Sequence, residues 1–492
     1  MISSEVSIKG VGVFLKAFDI KTTYTIFVFL ALAAFDYIIL GLFPPLFSSI
    51  AKDMNIHISM LGIVLAVNIF VTSISAIIWG FLAGKYNRKR LIIIGTVFWS
   101  VSVFLTSKSQ NYLQLVVSQV FTGIGLGCIS SIGFSVLTDY IPHKYRGTLL
   151  SLWGISQGFG GIAGAIMASL VSTSSSWRKP FEIVSIIGLL LIILYLFVKE
   201  PSLGESDPEL MELIKDGHDY SYNIELKSIL NIVIKKSNVL LFLQAFFYNI
   251  ATGTLIWLPT LYISKIIQQG YDSKTAIIAA GYLYAMFQIG GLTATFFGYI
   301  GDKVQKKTYR GRSRLAAFFM FITMPFYIIM YSVPMNKLML PAGDNPLFIL
   351  FALLKQIFVN PWIGGIFVLS FFACAAQSAN TPNWLALITD VNLPEDRAAA
   401  FSIANLANGL GRTIGNAAFG ILLTAISLYT KEPQNYIITL WIFQLFFIPS
   451  GILYLKMSKS NKRDITRVKS TLRMRARKVY GDVCAVPGTI DR

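Results

Sequence analysis

Long apolar runs, separated by short polar segments, follow one another from residue 24 to residue 455. Each is long enough to cross the hydrocarbon core of a bilayer as a helix, which takes roughly 17–25 residues. The runs lack the period-two alternation of barrel strands, and lipid tolerates only helices or closed barrels as spanning structures. The pattern therefore predicts an all-α membrane protein with twelve transmembrane helices. The predicted spans, numbered 1 to 12 in chain order, are 24–47, 58–83, 91–107, 112–138, 149–171, 181–198, 238–264, 275–300, 315–333, 363–389, 401–428 and 434–455.

The polar segments divide the chain into two groups of six spans. The predicted domains are an N-terminal segment at 1–23, a six-helix bundle at 24–198, a linker at 199–237, a second six-helix bundle at 238–455 and a tail at 456–492. The apolar stretch 347–359 is too short for a further span and bears Lys355. We therefore interpret it as an interfacial or re-entrant helix within an insertion at 334–362.

The charged residues are few and mostly basic. They make up 13% of the chain, with 42 Lys and Arg against 24 Asp and Glu. In a soluble protein this excess would suggest nucleic acid, but in a chain that is 54% hydrophobic it indicates cationic loops beside a membrane. The loops and tails on one side of the predicted spans hold 32 Lys and Arg, and those on the other side hold nine. The positive-inside rule then places both termini in the cytoplasm. We expect a monomeric, multi-pass plasma-membrane protein whose partner is the lipid bilayer and not nucleic acid.

The two halves of the chain share an internal repeat. TDYIPHKYRG, which starts at Thr138, resembles TDVNLPEDRA, which starts at Thr389, with an offset of 251 residues. The same offset aligns two glycine-rich runs, GFGGIAG at 158–164 and GLGRTIG at 409–415. Because both runs lie inside predicted helices, we interpret the glycines as small residues that allow close helix packing, and not as a nucleotide-binding loop.

Two loops carry the most specific signal. GFLAGKYNRKR at 80–90 and GYIGDKVQKK at 298–307 resemble the loop signature of the major facilitator superfamily, in which a glycine precedes an acid and a basic run. The second copy has the acid as Asp302, whereas the first copy has Gly84 in its place. The resemblance implies two six-helix bundles that rock about a central site and move a solute by alternating access.

The resemblance also implies a latch at the cytoplasmic ends of the helices. Asp302 is expected to face the positive N-terminus of span 5. Arg88 is expected to reach Asp139, and Arg314 is expected to reach Asp390. The alternative is that these basic loops only orient the chain in the membrane. The predicted gate residues are Gly80, Lys85, Arg88, Asp139, Arg146, Gly298, Asp302, Arg314, Asp390 and Arg397.

Two charged residues lie well inside predicted spans: Asp36 in span 1 and Arg412 in span 11. A charge near the bilayer centre costs about 3 kcal/mol or more, so it usually faces a cavity or a partner. Arg412 shares one helical face with three amides, Asn405, Asn408 and Asn416. We interpret this face as the lining of a cavity. Two alternatives stay open: a polar seam packed between helices, and an Arg412 that only neutralises Asp36.

These residues define a predicted substrate site between the halves. Arg412 is expected to bind the anionic group of a small organic solute, and the amides to orient it. Asp36 is expected to carry the coupling proton, because burial disfavours a charged carboxylate. Superfamily members often carry Arg where this chain has Gln119. The predicted substrate-binding residues are Arg412, Asn405, Asn408, Asn416, Gln119, Asn249, Gln377, Asn380 and Trp384.

Asp36, the Pro44-Pro45 pair that follows it and the KYNRK loop are also similar to spinster-type or organic-anion carriers. We therefore predict a secondary active transporter, a symporter that moves a small organic anion with a proton or another coupling ion. One alternative is an exporter of amphipathic compounds or lysolipids with the same fold, and the other is a non-transporting membrane receptor. The sequence contains no ATP-binding loop, metal-ligand spacing or catalytic constellation, which disfavours an enzyme and predicts no cofactor and no metal.

Overall fold

The computed structural model describes residues 20–83, 86–133, 136, 146–198, 232–341 and 345–481, and within them it leaves aside the side chains at 20, 146–151, 173–174, 394–395, 397–399 and 472–481. Lys85 and Asp139 of the predicted gate lie outside the described residues, as does most of the predicted linker. Arg146 and Arg397 are described only by their helical backbone.

In this part of the chain, twelve helices are long and apolar enough to cross a membrane, which confirms the predicted fold class. We number them spans 1 to 12. The uninterrupted spans are Ile20–Asp53 (span 1), Met60–Ala83 (2), Arg88–Lys108 (3), Arg146–Ser174 (5), Lys179–Leu196 (6), Gly311–Ser332 (9) and Pro394–Ser427 (11). The spans of two or three segments are Tyr112–Cys128 with Ile129–Gly133 (4), Lys236–Gly253 with Thr254–Trp257 and Leu258–Gln268 (7), Ser273–Gln288 with Ile289–Thr293 and Ala294–Lys307 (8), Pro361–Ser378 with Asn380–Val391 (10), and Gln434–Gln444 with Phe447–Gly481 (12).

Polar caps set the start of several spans. The Asn111 side chain accepts a hydrogen bond from the Gln114 amide at 3.0 Å where span 4 begins. Asp272, before span 8, accepts bonds from the Thr275 hydroxyl and from two backbone amides, and these bonds hold the pKa of its carboxyl below the usual range. Both caps lie on the side of the membrane opposite to the start of spans 1 and 7. We call this the far side, and the other the termini side.

Glycines determine the closest helix crossings in each half. A Cβ on Gly160 of span 5 would lie 2.0 Å from the Ala34 carbonyl oxygen of span 1. A Cβ on Gly411 of span 11 would lie 2.3 Å from the Phe246 carbonyl oxygen of span 7. Both contacts are far below van der Waals distance, so only glycine allows these backbones to meet. The equivalent positions in the two halves make equivalent contacts, as the packing interpretation of the repeat predicts.

A short helix, Pro346–Val359, occupies the insertion between spans 9 and 10. Asn345 caps its start, and Asn360 at its end donates hydrogen bonds to the Asn336 and Lys337 carbonyls at 3.0 and 2.9 Å. Its length falls below that of a span, as the sequence predicts.

The halves contact each other on the far side around Trp257. This residue lies in the 3₁₀ segment of span 7, and its ring centroid is 4.7 Å from that of Phe47 and 4.8 Å from that of Phe419. A Cβ on Gly62 of span 2 would lie 2.8 Å from the same indole. Nearby, the Thr424 hydroxyl donates to the Ser59 hydroxyl at 2.7 Å. These contacts close the space between the halves on the far side.

Candidate functional site

Arg412 lies near the middle of span 11 and is anchored to the neighbouring span 7. Its Nε donates a hydrogen bond to Asn249 Oδ1 at 2.9 Å. The Asn249 amide group in turn donates to the Ala245 carbonyl at 2.8 Å and to Asn408 Oδ1 at 2.7 Å. With the further bonds from Asn408 to Asn405 Oδ1 at 3.5 Å and from Asn416 to Arg412, the structure connects five of the predicted binding residues in one network.

The polar face of span 11 becomes more exposed toward the termini side. Asn416 is 1% exposed and donates to the Arg412 carbonyl at 2.9 Å. Arg412 and Asn408 are half-buried, and Asn405 is exposed. Because the far side is closed around Trp257, this gradient indicates a cavity that opens toward the termini side. Asn416 thus belongs to the packed end of the face, and the other three residues line the cavity.

Span 1 contributes Tyr37 to the site. Its hydroxyl lies beside the Arg412 guanidinium, and Tyr248 of span 7 is a further neighbour. Gln288 of span 8 packs beside Gly161 of span 5, with its Oε1 at 3.6 Å from the position of a Cβ on that glycine. Neither Tyr37 nor Gln288 was among the residues predicted from the sequence. A signal was present for Gln288, a lone amide within an apolar span, but not for Tyr37.

Asp36 lies one residue from Tyr37 but does not face Arg412. Both residues are described, and no ion pair joins them, because Asp36 is turned into the N-terminal half within electrostatic reach of Cys128 in span 4. Asp36 is 8% exposed, and its Oδ1 has no hydrogen-bond partner among the described residues. A neutral carboxyl fits this apolar environment better than a carboxylate, because a buried charge needs a partner.

Gln119 lies inside the N-terminal half and not in the cavity. It is fully buried, donates to the Thr106 hydroxyl at 2.8 Å and accepts from Asn68 Nδ2 at 3.0 Å. Its hydrogen bonds hold spans 2, 3 and 4 together.

Three predicted residues of span 10 contribute to the packing of the C-terminal half. Asn380 Oδ1 accepts from Gln244 of span 7 at 3.2 Å and from the Tyr454 hydroxyl of span 12 at 2.7 Å. Gln377 accepts a hydrogen bond from Tyr327. Trp384 is buried, and its Nε1 has no partner among the described residues. These contacts favour the packing role for Asn380 and Gln377.

The termini-side ends of spans 8, 9 and 10 meet in a charge cluster centred on Arg312. This residue is buried and donates to Asp390 Oδ2 at 2.7 Å, and it also pairs with Asp302. Gln305 donates to the same Asp390 oxygen at 3.2 Å. The expected pairing of Arg314 with Asp390 is therefore corrected: Arg314 lies two positions further along the helix, on the exposed face.

Two further gate predictions concern glycines. A Cβ on Gly80 would lie 2.9 Å from the Ser131 hydroxyl of span 4, and one on Gly298 would lie 3.1 Å from Pro382 of span 10. Both glycines thus allow close packing where the two signature loops begin. Arg88 starts span 3. Asp302 bonds within its own half through Arg312, and its side chain is 64% exposed.

A family model described as the Major Facilitator Superfamily matches residues 26–343 and 345–483. The chain is 21% identical over 425 residues to the riboflavin transporter RibZ of Clostridioides difficile, a match that covers 79% of this chain and 86% of that one. It is 26% identical over 232 residues to the sphingosine-1-phosphate transporter SPNS2 of Danio rerio, which covers 46% of this chain and 45% of that one.

A bacterial homologue of the human lysosomal transporter spinster, in an inward-facing and occupied conformation, has a similar fold. Its TM-score is 0.67 at 16% sequence identity, and the match covers 91% of this chain and 99% of that one. A D-xylose-proton symporter has a TM-score of 0.60 at 16% identity, over 89% of this chain and 97% of that one.

Proposed function

Because the chain belongs to the Major Facilitator Superfamily and is a spinster-like, multi-pass membrane transporter, we propose that it moves a small organic anion by alternating access, coupled to protons. The observation that most strongly supports this proposal is the environment of Arg412. This cation lies at the middle of a span, lines the cavity and has no acidic partner among the described residues. A buried guanidinium without a carboxylate is costly, and an anionic ligand supplies the missing charge.

The network around Arg412 suits recognition of a carboxylate or a phosphate. Asn249 engages Nε and the Tyr37 hydroxyl lies beside the guanidinium, so the remaining N–H groups of the two Nη atoms are those that would bind two oxygens of one anion. Asn408 and Tyr37 add polar groups at the edge of this position. Lysine cannot replace such a fork, because its ammonium group is a point charge.

We propose that Asp36 carries the coupled proton. Asp36 is next in sequence to Tyr37, and Tyr37 contacts Arg412. Ligand binding at Arg412 can therefore affect Asp36 through span 1, and protonation of Asp36 can affect Arg412 in the same way. Its apolar surroundings favour the protonated form in the present conformation. Release then requires a conformation that gives Asp36 access to water.

Ligand binding to the purified chain tests the anion proposal. The probes are benzoate and cis,cis-muconate, each paired with its fully methylated ester, together with the uncharged riboflavin, and the readout is the thermal shift in detergent. We expect at least one acid to bind while its ester does not. Arg412→Lys should weaken that binding more than tenfold, whereas the control Arg178→Lys, on the far side, should leave it unchanged. Equal binding of acid and ester would remove Arg412 from recognition.

A second candidate substrate class is an anionic amphiphile. The match to a sphingosine-1-phosphate transporter and the aromatic residues Tyr37 and Tyr248 beside Arg412 favour it. A series of alkyl phosphates separates the two classes: affinity that rises steadily from four to sixteen carbons supports the amphiphile, and affinity that peaks at short chains supports the small solute.

We also propose that both termini face the cytoplasm of a plasma-membrane monomer, as the 32-to-nine division of Lys and Arg predicts. In a cysteine-free background, Ser176→Cys should react with an impermeant reagent from outside intact cells, and Ser206→Cys should react only after permeabilisation. Labelling of both from the same side would contradict this topology.

A further inference from the structure

A cavity of about 500 Å³, which we call the basic pocket, lies on the termini side between the start of span 7 and the end of span 12. Six cations line it: Lys235, Lys236, Lys456, Lys459, Arg463 and Arg467. It is separate from the Arg412 cavity, and no step of the proposed transport uses it.

The helix of span 12 presents its cations to the pocket as a regular stripe. Lys456, Lys459, Arg463 and Arg467 follow one another at intervals of three and four residues, which places them on one helical face. All four are exposed. All four lie within 456–492, the segment that the sequence predicts to be a basic tail.

The opposite face of this helix is fixed to the protein. Asn461 is fully buried and donates to the Tyr309 carbonyl at 2.8 Å and to the Ser313 hydroxyl at 3.1 Å, both next to the start of span 9. Ile465 is also buried. The cationic stripe is therefore the wall of a formed pocket and not part of an unattached tail.

The pocket contains far more positive than negative charge. Asp464 is the one acid in its lining, and it accepts a hydrogen bond from Ser237. Lys235 donates to the Val391 carbonyl, and burial lowers the pKa of its ammonium group. The remaining cations repel one another, and a ligand with several negative oxygens would relieve that repulsion.

An apolar surface continues from the pocket toward the membrane centre. Leu240 lines the pocket, and one turn further along span 7 Leu243 is 44% exposed. On span 12, Ile452 and Leu455 precede the cationic stripe and are 41% and 44% exposed. A ligand with a charged head and an apolar chain matches both the basic pocket and the apolar surface beside it, whereas a soluble anion matches only the pocket.

We propose that the basic pocket binds the phosphate-bearing head group of an anionic phospholipid from the termini-side leaflet, with its acyl chains along Leu243, Ile452 and Leu455. Basic pockets between transmembrane helices recognise such head groups through the same chemistry. The lipid joins the start of span 7 to the end of span 12 and so stabilises the C-terminal half.

Native mass spectrometry of the full-length protein in detergent tests this site. The probes are dioleoyl phosphatidic acid, dioleoyl phosphatidylcholine and the soluble anion glycerol 3-phosphate. The variant with Lys459→Gln, Arg463→Gln and Arg467→Gln should bind phosphatidic acid at least tenfold more weakly. The matched control, with Lys306→Gln, Lys307→Gln and Lys462→Gln, changes the net charge equally on residues that do not line the pocket, and should stay within twofold.

A second variant separates a lipid from a free phosphate. Leu455→Gln should weaken phosphatidic acid binding severalfold and leave that of glycerol 3-phosphate unchanged. Equal losses in the two triple variants, equal binding of phosphatidylcholine, or glycerol 3-phosphate binding as tightly as the lipid would each overturn the proposal.

Discussion

Each half of the protein contains the same close helix crossing, but the charged residues beside the crossing differ between the halves. Span 5 crosses span 1 at Gly160, and span 11 crosses span 7 at Gly411, each against a carbonyl oxygen. The offset between Ala34 and Phe246, the residues that supply those oxygens, is 212.

The same alignment places Asp36 opposite Tyr248, and Tyr37 opposite Asn249. In the other pair of spans, Gly161 aligns with Arg412. Each half thus has one charge that the other lacks: an acid on span 1 in the first, a cation on span 11 in the second.

These charges have opposite environments. Asp36 is turned away from the cavity and has an unpartnered oxygen, whereas Arg412 faces the cavity within a network of amides. The repeat thus preserves packing, while the chemistry of the site depends on the residues that depart from the repeat.

The largest expected effect concerns the acid of the first half. Asp36→Asn should abolish accumulation of solute driven by a pH gradient, because the amide cannot carry the proton, and it should spare exchange of solute between the two sides. Flux in proteoliposomes, with and without the gradient, measures both. The control is Asp53→Asn at the far-side end of the same span. Normal proton-driven accumulation in Asp36→Asn would exclude the residue from coupling.

The next effect concerns the charge cluster of the second half. Arg312→Gln leaves Asp390 without its cation and should lower the free energy of unfolding by about 1.5–3 kcal/mol, the value of a charged hydrogen bond. Most of this loss comes from Asp390, since Asp302 is largely exposed. Denaturation in detergent measures it, with Arg314→Gln as the control, expected within about 0.5 kcal/mol of the parent. If Arg314→Gln costs as much, the charge cluster has been assigned to the wrong arginine.

The shared crossing predicts matched effects in both halves. Gly160→Ala and Gly411→Ala should each destabilise by about 1–3 kcal/mol, because the added methyl meets a backbone oxygen that cannot move freely. Gly158→Ala is the control, since nothing lies within 4 Å of its Cβ position. Unequal losses at 160 and 411 would show that the halves do not pack alike.

The smallest effect is expected for the energetic coupling between Asp36 and Arg412, which should be close to zero. In a double-mutant cycle of Asp36→Asn and Arg412→Gln, the stability changes should add to within about 0.5 kcal/mol, because the two side chains form no ion pair. Recovery of stability in the double variant would instead support Arg412 as the counter-charge of Asp36 in another conformation.

Much of the fold could be predicted from local patterns. The length and apolarity of the runs predict twelve spans, because lipid leaves a chain few other structures. The glycine repeat predicts close packing of spans 5 and 11. At the site, the common face of Asn405, Asn408 and Arg412 follows from helical spacing alone.

Partners across helices could not be predicted in this way. Gln119 and Asn380 have the same polarity as Asn249, yet only Asn249 contacts Arg412. The choice between Arg312 and Arg314 depends on the rotation of span 9 about its axis, which packing against spans 8 and 10 determines.

The number of spans, the repeat and the presence of two charges inside the membrane can be read from the chain alone, because they follow from composition and from the period along one helix. The direction in which each charge faces depends on the packing of the helices. This packing turns Asp36 into the N-terminal half, places Tyr37 beside Arg412 and aligns the cationic stripe of span 12 with the start of span 7. A helix specifies its own faces, whereas the neighbour that meets each face depends on how all twelve helices pack.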